Sequence, residues 1–454
     1  MFKNRIYKKL FFVFIAVYAM SRVFSADQGG EKKAKYVFLF IGDGMGKTHI
    51  EVTEKAWQRK LWMNTLPVKG FVDTLAYGGE TTDSAAAATA IACGCKTRLG
   101  VLGLDSDGVP WETVAETAKK QGWKVGIVSN APLNHATPAG FYAHQLRRSM
   151  YEEIARDLAA GGFEYFGGGS LTFKKKCGEL TRKMLEENYV ILESPPEIPR
   201  LDPGKKYIVH ADMPYVIDNK KNKGLSLADY TALGIKHLYS GSGKSKGFFL
   251  MVEGGKIDWC AHSNDGGCMV REIKAFDDAV KVAVDFLQKH PDSTTIVVTA
   301  DHETGGLHFD AVPGSPAADL LRQQYSYKVM NAKMAEYRKG NLSFAEIVFE
   351  AGKNYKLKNF SSEEFRELHE SWKAFTGKNK KSLMPSILYS SYKPLLFCLQ
   401  RFFNRRCGLE WTSTKHSPIP VPLMAGGVDS GLFAGHYDNT QIALKLKSII
   451  KTAR

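Results

Sequence analysis

Tyr36-Val37-Phe38-Leu39-Phe40-Ile41-Gly42-Asp43-Gly44-Met45-Gly46 is an apolar run that ends in a glycine-rich turn carrying one carboxylate. Short runs rich in Val, Ile and Phe, bounded by turn residues, predict buried strands. Val68–Thr74, Val125–Ser129, Phe248–Val252 and Thr294–Thr299 read the same way. Helical patterns at Trp111–Gln121, Met150–Ala159 and Arg271–Lys289 separate several of them. Such alternation predicts an α/β chain with a mostly parallel sheet covered by helices on both faces.

The residues just beyond these strands carry the chemistry. Tyr36–Ile41 leads to Asp43, and Val125–Ser129 runs towards His135-Ala136-Thr137-Pro138. Phe248–Val252 ends at Glu253, with Asp258 and His262 following, and Thr294–Thr299 ends in Ala300-Asp301-His302. Ligands of open parallel sheets bind beyond the carboxyl ends of the strands. Four strands therefore deliver Asp, His, Thr and Glu to one edge, and that set points to metal. Asp258 and His262 are four residues apart, on one face of a helical turn. Imidazole mixed with carboxylate suits zinc, whereas the oxygens of Glu253 and Thr137 suit a harder ion such as magnesium.

A second signal is Thr82-Asp83-Ser84-Ala85-Ala86-Ala87-Ala88-Thr89-Ala90. Alanine is the strongest helix former and Asp or Ser the usual cap, so a helix begins here sharply. Its first turn would seat an oxyanion on free backbone N–H groups at the positive end of the helix dipole, beside the Ser84 hydroxyl. Alone, an Asp-Ser-Ala start is only a cap. Next to a metal site it acquires a chemical partner.

Composition bounds the rest. The 454 residues, 44% hydrophobic and 24% charged, are those of an ordinary globular protein. Lys3, Arg5, Lys8 and Lys9 precede an apolar run, Leu10 to Met20, and then Ser25 and Ala26. This is the layout of a secretory signal peptide over residues 1–26, cleaved near Ser25 or Ala26, and the run is too short to span a bilayer comfortably. The mature chain is thus expected to be exported, periplasmic or secreted, with no transmembrane span. The formal net charge is +15, but the leader holds five basic and no acidic residues, and residues 323–410 carry 16 Lys/Arg against 8 Asp/Glu. The basic balance belongs to one segment, and no nucleic-acid partner is expected. Seven cysteines permit disulfides and leave at least one unpaired. Cys260–Cys268 and Cys398–Cys407 are close enough in sequence to pair, while Cys93-Gly94-Cys95 reads as structural.

The chain resembles the alkaline phosphatases. The resemblance rests on Gly42-Asp43-Gly44-Met45-Gly46, Thr82-Asp83-Ser84-Ala85, His135-Ala136-Thr137-Pro138-Ala139, Val252-Glu253-Gly254 with Ile257-Asp258 and His262, Thr299-Ala300-Asp301-His302, and Thr414-Lys415-His416. It implies a three-layer α/β/α sandwich over residues 27–454 that hydrolyses phosphate monoesters through a covalent phosphoserine. One zinc would take Asp258, His262 and His416, and a second Asp43, Asp301 and His302. A third ion, usually magnesium, would take Asp43, Glu253 and Thr137. Ser84 resembles the nucleophile, Arg148 the phosphate-binding arginine, and Asp83 its orienting carboxylate. His135 and Trp259 occupy positions that vary within the family, beside the third ion. An imidazole there shifts the expected metal from magnesium towards zinc or cobalt, or hydrogen-bonds from outside the ligand set. The substrates implied are small phosphorylated molecules, and a homodimer is the assembly the family suggests.

Residues about 310–410 match none of these motifs. The resemblance implies a cap or crown insertion near the cleft or the dimer interface; a solvated helical decoration is the plainer reading. Amphipathic patterns fall at Ala345–Tyr355 and Ser361–Phe375, and Asn341-Leu342-Ser343 and Asn359-Phe360-Ser361 are glycosylation sequons. The Cys-x-Pro-x-Arg signature of sulfatases is absent, and the full third-metal set argues against a phosphodiesterase.

Overall fold

The computed structural model describes residues 32–173, 177–239, 245–310, 316–340, 342–375 and 394–452. The expected leader with Ser25 and Ala26, and Asn341 of the first sequon, lie outside the described residues. In chain order the strands are β1 (Tyr36–Ile41), β2 (Val68–Asp73), β3 (Lys124–Pro132), β4 (Tyr165–Gly169), β5 (Val190–Glu193), β6 (Tyr207–Ala211) and β7 (Phe248–Glu253). They continue with β8 (Thr294–Thr299), β9 (Glu303–Thr304), β10 (Leu307–Phe309), β11 (Leu409–Trp411), β12 (His416–Ser417), β13 (Val421–Gly427) and β14 (Gly435–Asp438). Ten of them form one sheet in the order β14-β2-β13-β8-β1-β7-β3-β4-β6-β5. Only β13 runs against the others, pairing antiparallel with β2 and β8.

The four strands expected to deliver ligands are neighbours, β8-β1-β7-β3. Their register places Ile41 beside Glu253 and Thr299, and Ser129 beside Glu253. The strand ends therefore form one row, and the loops beyond them leave from a single edge. All residues of β7 and β8 are buried, as covering by helices on both faces requires. Phe38 and Phe40 meet Phe286 and Phe276 of the helix Gly266–Lys289 on one face. On the other, Phe249 lies 6.4 Å from Phe141, and the helices Ser84–Cys93, Val114–Lys120 and Thr440–Thr452 pack together.

The helix Ser84–Cys93 is buried on every side. Its alanines are the reason: a Cβ on Gly140 would stand 2.7 Å from the Ala88 methyl, so neither surface has room for bulk. Strands β4, β5, β6, β13 and β14 escape the sequence reading. β4 is Tyr-Phe-Gly-Gly-Gly, whose glycines carry little strand preference and are tolerated because β3 approaches closely.

Among the described residues four α-helices lie between β10 and β11: Tyr327–Lys339, Phe344–Tyr355, Ser362–Phe375 and Pro394–Arg406. They are not a solvated decoration throughout. Leu395, Leu396, Leu399, Phe402 and Phe403 of the last helix are buried. From it, Gln400 donates to the Ser263 carbonyl at 2.5 Å and Asn404 to the Asn264 carbonyl at 2.7 Å. The helix thus leans on the turn directly after His262. It also corrects one cysteine expectation. Cys398 lies on this helix and Cys407 directly beyond its end, a separation of about 13 Å at 1.5 Å per residue, beyond the roughly 7 Å that a disulfide tolerates. Among the described residues no helix is long and apolar enough to cross a membrane.

Candidate active site

Asp83, not Ser84, caps the helix Ser84–Cys93: its Oδ1 accepts from Ala86 N at 3.0 Å and from Gly100 N at 3.1 Å. Ser84 becomes the first helical residue, 1% exposed, with its Oγ 3.4 Å from His302 Nε2. The second Asp83 oxygen takes Arg148 Nη1 at 3.0 Å. Burial raises the Asp83 pKa, but Arg148 and the two backbone N–H groups outweigh it and hold the carboxylate below its usual range. Arg148 Nη2 in turn stands 3.3 Å from His135 Nε2. One guanidinium is therefore fixed between the helix cap and His135, close to Ser84.

Asp43, Glu253, Asp258, Asp301 and His302 are all buried behind this entrance. Three trios have ligand atoms all within 4.8 Å of one another: Asp43, Asp301 and His302; Asp43, His135 and Glu253; and Asp258, His302 and His416. His262 joins the last, its Nε2 3.3 Å from Asp258 Oδ1 and 3.0 Å from His416 Nε2. His302 belongs to the trio with Asp43 and Asp301, stacks on His416 at 3.6 Å and so touches both sets. The Thr137 hydroxyl, in the short helix Ala136–Ala139, is buried beside Glu253. Trp259 sets the edge of its ring against His135 at 5.8 Å; an indole offers a donor and no ligand lone pair, so it is a neighbour of the trio and not a member.

The outward ring nitrogens fix the tautomers. His262 Nδ1 donates to the Thr414 carbonyl at 2.6 Å and His416 Nδ1 to the Thr82 carbonyl at 2.8 Å. His302 Nδ1 meets Thr304 Oγ1 at 3.2 Å, and that hydroxyl donates to Asp258 Oδ1 at 2.6 Å. All three Nε2 lone pairs then point inward, the arrangement that metal-binding histidines adopt. Thr304 was not singled out in the sequence, although it stands two residues after His302. Ser129, which donates to Glu253, was also missed. Gly44 permits this closeness: its φ is +72°, and a Cβ there would stand 2.8 Å from Thr304 Oγ1. Removing the hydroxyl while keeping the shape, Thr304→Val, is expected to weaken metal retention by about 10- to 100-fold, read as the chelator concentration that strips half the metal.

Among the described residues no hydrogen-bond donor reaches either Asp43 oxygen, Asp258 Oδ2 or Asp301 Oδ2. Buried carboxylates without donors are costly unless a cation compensates them. Burial, with the charges of Asp301, Asp258 and Glu253 beside it, pushes Asp43 well above its ordinary pKa. Burial lifts Glu253 to about 8 and Asp301 to about 6. Asp258 goes the other way: burial would raise it, but His262 and His416 outweigh that and hold it well below the usual range. Burial and Arg148 drive His135 down to about 3, so it is a neutral imidazole, as a metal ligand must be. Inward lone pairs and orphaned carboxylate oxygens together fit bound cations.

The pH dependence follows from these directions. A carboxyl with a raised folded pKa stabilises the metal-free fold fully below its unfolded value, about 4. That contribution is lost as pH rises through the folded value. For Asp301 and Glu253 the loss runs through about 6 and then about 8. Above the range in which the histidines titrate, chelated protein is therefore expected to melt at lower temperature as pH climbs from 7 to 8.5, by scanning fluorimetry. A level or rising trend would contradict this account of the cluster.

A family model described as alkaline phosphatase matches residues 34–172 and 208–452. The chain belongs to the alkaline phosphatase family. It is a metal-binding hydrolase that cleaves phosphate monoesters, and its substrates are small phosphorylated molecules. Alkaline phosphatase 4 of Bacillus subtilis (strain 168) is 30% identical over 449 residues, covering 95% of this chain and 92% of its own. The cold-active alkaline phosphatase of the psychrophile Shewanella sp. superposes with a TM-score of 0.72 at 26% identity, covering 91% of this chain and 99% of its own. A variant of the alkaline phosphatase from TAB5, with one histidine replaced by glutamate and magnesium bound in its M3 site, superposes at 0.67 and 26% identity, over 93% of this chain and 99% of that one. The α/β architecture expected from the strand and helix alternation is the family's.

Proposed function

We propose that this alkaline phosphatase works through a phosphoserine at Ser84. The observation that carries the reading is the meeting of Ser84 Oγ, His302 and the Asp83-held Arg148 above three metal-competent trios. Ser84 Oγ attacks phosphorus, the bond from phosphorus to the ester oxygen breaks, and the alcohol leaves with a proton. Water then attacks the phosphoserine, the bond to Oγ breaks, inorganic phosphate leaves, and the serine hydroxyl is restored. Arg148 grips two phosphate oxygens in a bidentate fork, and the helix N-terminus adds backbone N–H donors. When bound, two zinc ions on Asp258, His262 and His416 and on Asp43, Asp301 and His302 supply the Lewis acidity that lowers the pKa of hydroxyl and water. His302 serves the second set and borders the first.

The third ion would rest on Asp43, Glu253 and Thr137, and the grouping of His135 with Asp43 and Glu253 supports an imidazole in that set. Imidazole favours zinc or cobalt over magnesium. Single-metal reconstitution is expected to show zinc or cobalt filling this site at least as well as magnesium, with His135→Asp reversing the order. Full recovery of the unsubstituted protein with magnesium alone would end the softer-metal reading. A panel of a chromogenic phosphomonoester, its diester and a sulfate ester tests the activity as a whole. Only the monoester should be cleaved, and a chelator should stop it; equal turnover of diester or sulfate would overturn the proposal.

We also propose that residues 1–26 are a cleaved export leader and 27–454 one catalytic domain, active as a homodimer. The basic and then apolar N-terminus supports the first part. The helices within 310–410 are read as an insertion at the rim, supported by the hold of Pro394–Arg406 on Ser263 and Asn264.

A further inference from the structure

We propose that Cys260 and Cys268 form an intramolecular disulfide that pins the turn carrying Asp258 and His262. The two sulfurs lie 2.7 Å apart. Even carbon atoms in optimal contact stand about 3.5–4.0 Å apart, and sulfur is larger, so this is no ordinary packing of two thiols. Closing to the bond length of about 2.05 Å requires a small adjustment. The surrounding backbone holds the pair together. Asp265 N donates to the Cys260 carbonyl at 2.9 Å, and Asp265 Oδ1 accepts from Cys268 N at 3.2 Å.

The position gives the bond a task. Cys260 lies between Asp258 and His262 on the helix Lys256–His262, and Cys268 lies in the first turn of the long helix Gly266–Lys289. That long helix is anchored in the core by Met269, Ile273, Phe276 and Val280. A crosslink therefore ties a short, ligand-bearing helix to a long, fixed one. Both sulfurs are buried, Cys260 at 2% and Cys268 at 0% exposure, so the folded protein shields them from oxidants and the bond must form during folding. The oxidant is a small-molecule disulfide such as oxidised glutathione. One cysteine thiolate attacks it and expels a first thiol, and the other cysteine displaces a second from the mixed disulfide. Two protons and two electrons pass from the cysteine pair to the oxidant, leaving one protein disulfide and two free thiols.

Trypsin cleavage after Lys256 and Arg271 releases a peptide, Ile257 to Arg271, that contains both cysteines and no others. The full chain, refolded with oxidised and reduced glutathione and alkylated in denaturant, should yield this peptide unalkylated and about 2 Da lighter than its dithiol form. Recovery of the peptide with two alkylated cysteines would overturn the bond. The pinning role has its own readout in metal release to a chelator. The oxidised protein should lose metal several-fold more slowly than the Cys260→Ser/Cys268→Ser variant, and equal rates would overturn that role. Neither measurement uses turnover, so failure here is distinguishable from failure of the phosphoserine mechanism.

Discussion

Ser84→Ala is expected to lower kcat by about 10⁴-fold or more, the scale seen when a covalent nucleophile is deleted. Labelled phosphate from substrate should be trapped on the unsubstituted protein in acid and be absent from the variant. The effect is large because Ser84 has no substitute nearby. Its neighbours on the helix are alanines, and the hydroxyl is the group that meets His302 Nε2 at 3.4 Å. Folding should be preserved, since Asp83 and not Ser84 provides the helix cap. Substrate affinity should change little, because Arg148 and its Asp83 partner are untouched. Label on Ser84→Ala protein would move the covalent step to another residue.

Asp43→Asn is expected to act in opposite directions on activity and on metal-free stability. Asp43 belongs to two of the three trios, so replacing its carboxylate by an amide removes a charged ligand from both. Turnover should fall by about 10³-fold or more, because the electrostatic stabilisation that metals supply is the largest catalytic contribution. Metal content after dialysis should fall with it. In chelated protein, however, the same change removes one charge from a buried cluster where Asp301, Asp258 and Glu253 already repel it. The metal-free variant should melt about 1 °C higher, which corresponds to about 1 kcal/mol in a chain of this length. Elemental analysis and melting curves on one preparation test both halves. A lower melting point without metal would show that Asp43 supports the fold itself.

Much of the site was legible because its chemistry sits at strand ends, and strand ends are written locally. Asp43, Glu253, Asp301 and His302 each follow a short apolar run, and those runs became β1, β7 and β8. The helix start at Asp83-Ser84 was equally plain, since capping and alanine content are one-dimensional signals. Thr304 was invisible for the opposite reason. A threonine two residues past a histidine has no distinctive pattern, and it matters only because the β9–β12 pairing sets it opposite His416. The edge strands β5 and β14 were missed because their short, half-exposed segments carry little periodicity.

The cysteines divide the two kinds of knowledge most cleanly. Sequence spacing treats Cys260–Cys268 and Cys398–Cys407 alike, eight and nine residues apart. In the fold the first pair flanks the short turn between two helices and meets at 2.7 Å, whereas the second stands on one helix and directly beyond its end. The histidines show the same thing. Sequence marked candidate metal ligands, through residue type, strand ends and the i, i+4 spacing of Asp258 and His262. Only the tertiary structure decided that His302 stacks on His416 and borders both sets, and that Arg148 is held between Asp83 and His135. Periodicity and capping depend on neighbours in the chain. Sheet order, by contrast, is set by burial summed over the whole molecule, and it alone brings residues 43, 84, 148, 258, 302 and 416 within reach of one another.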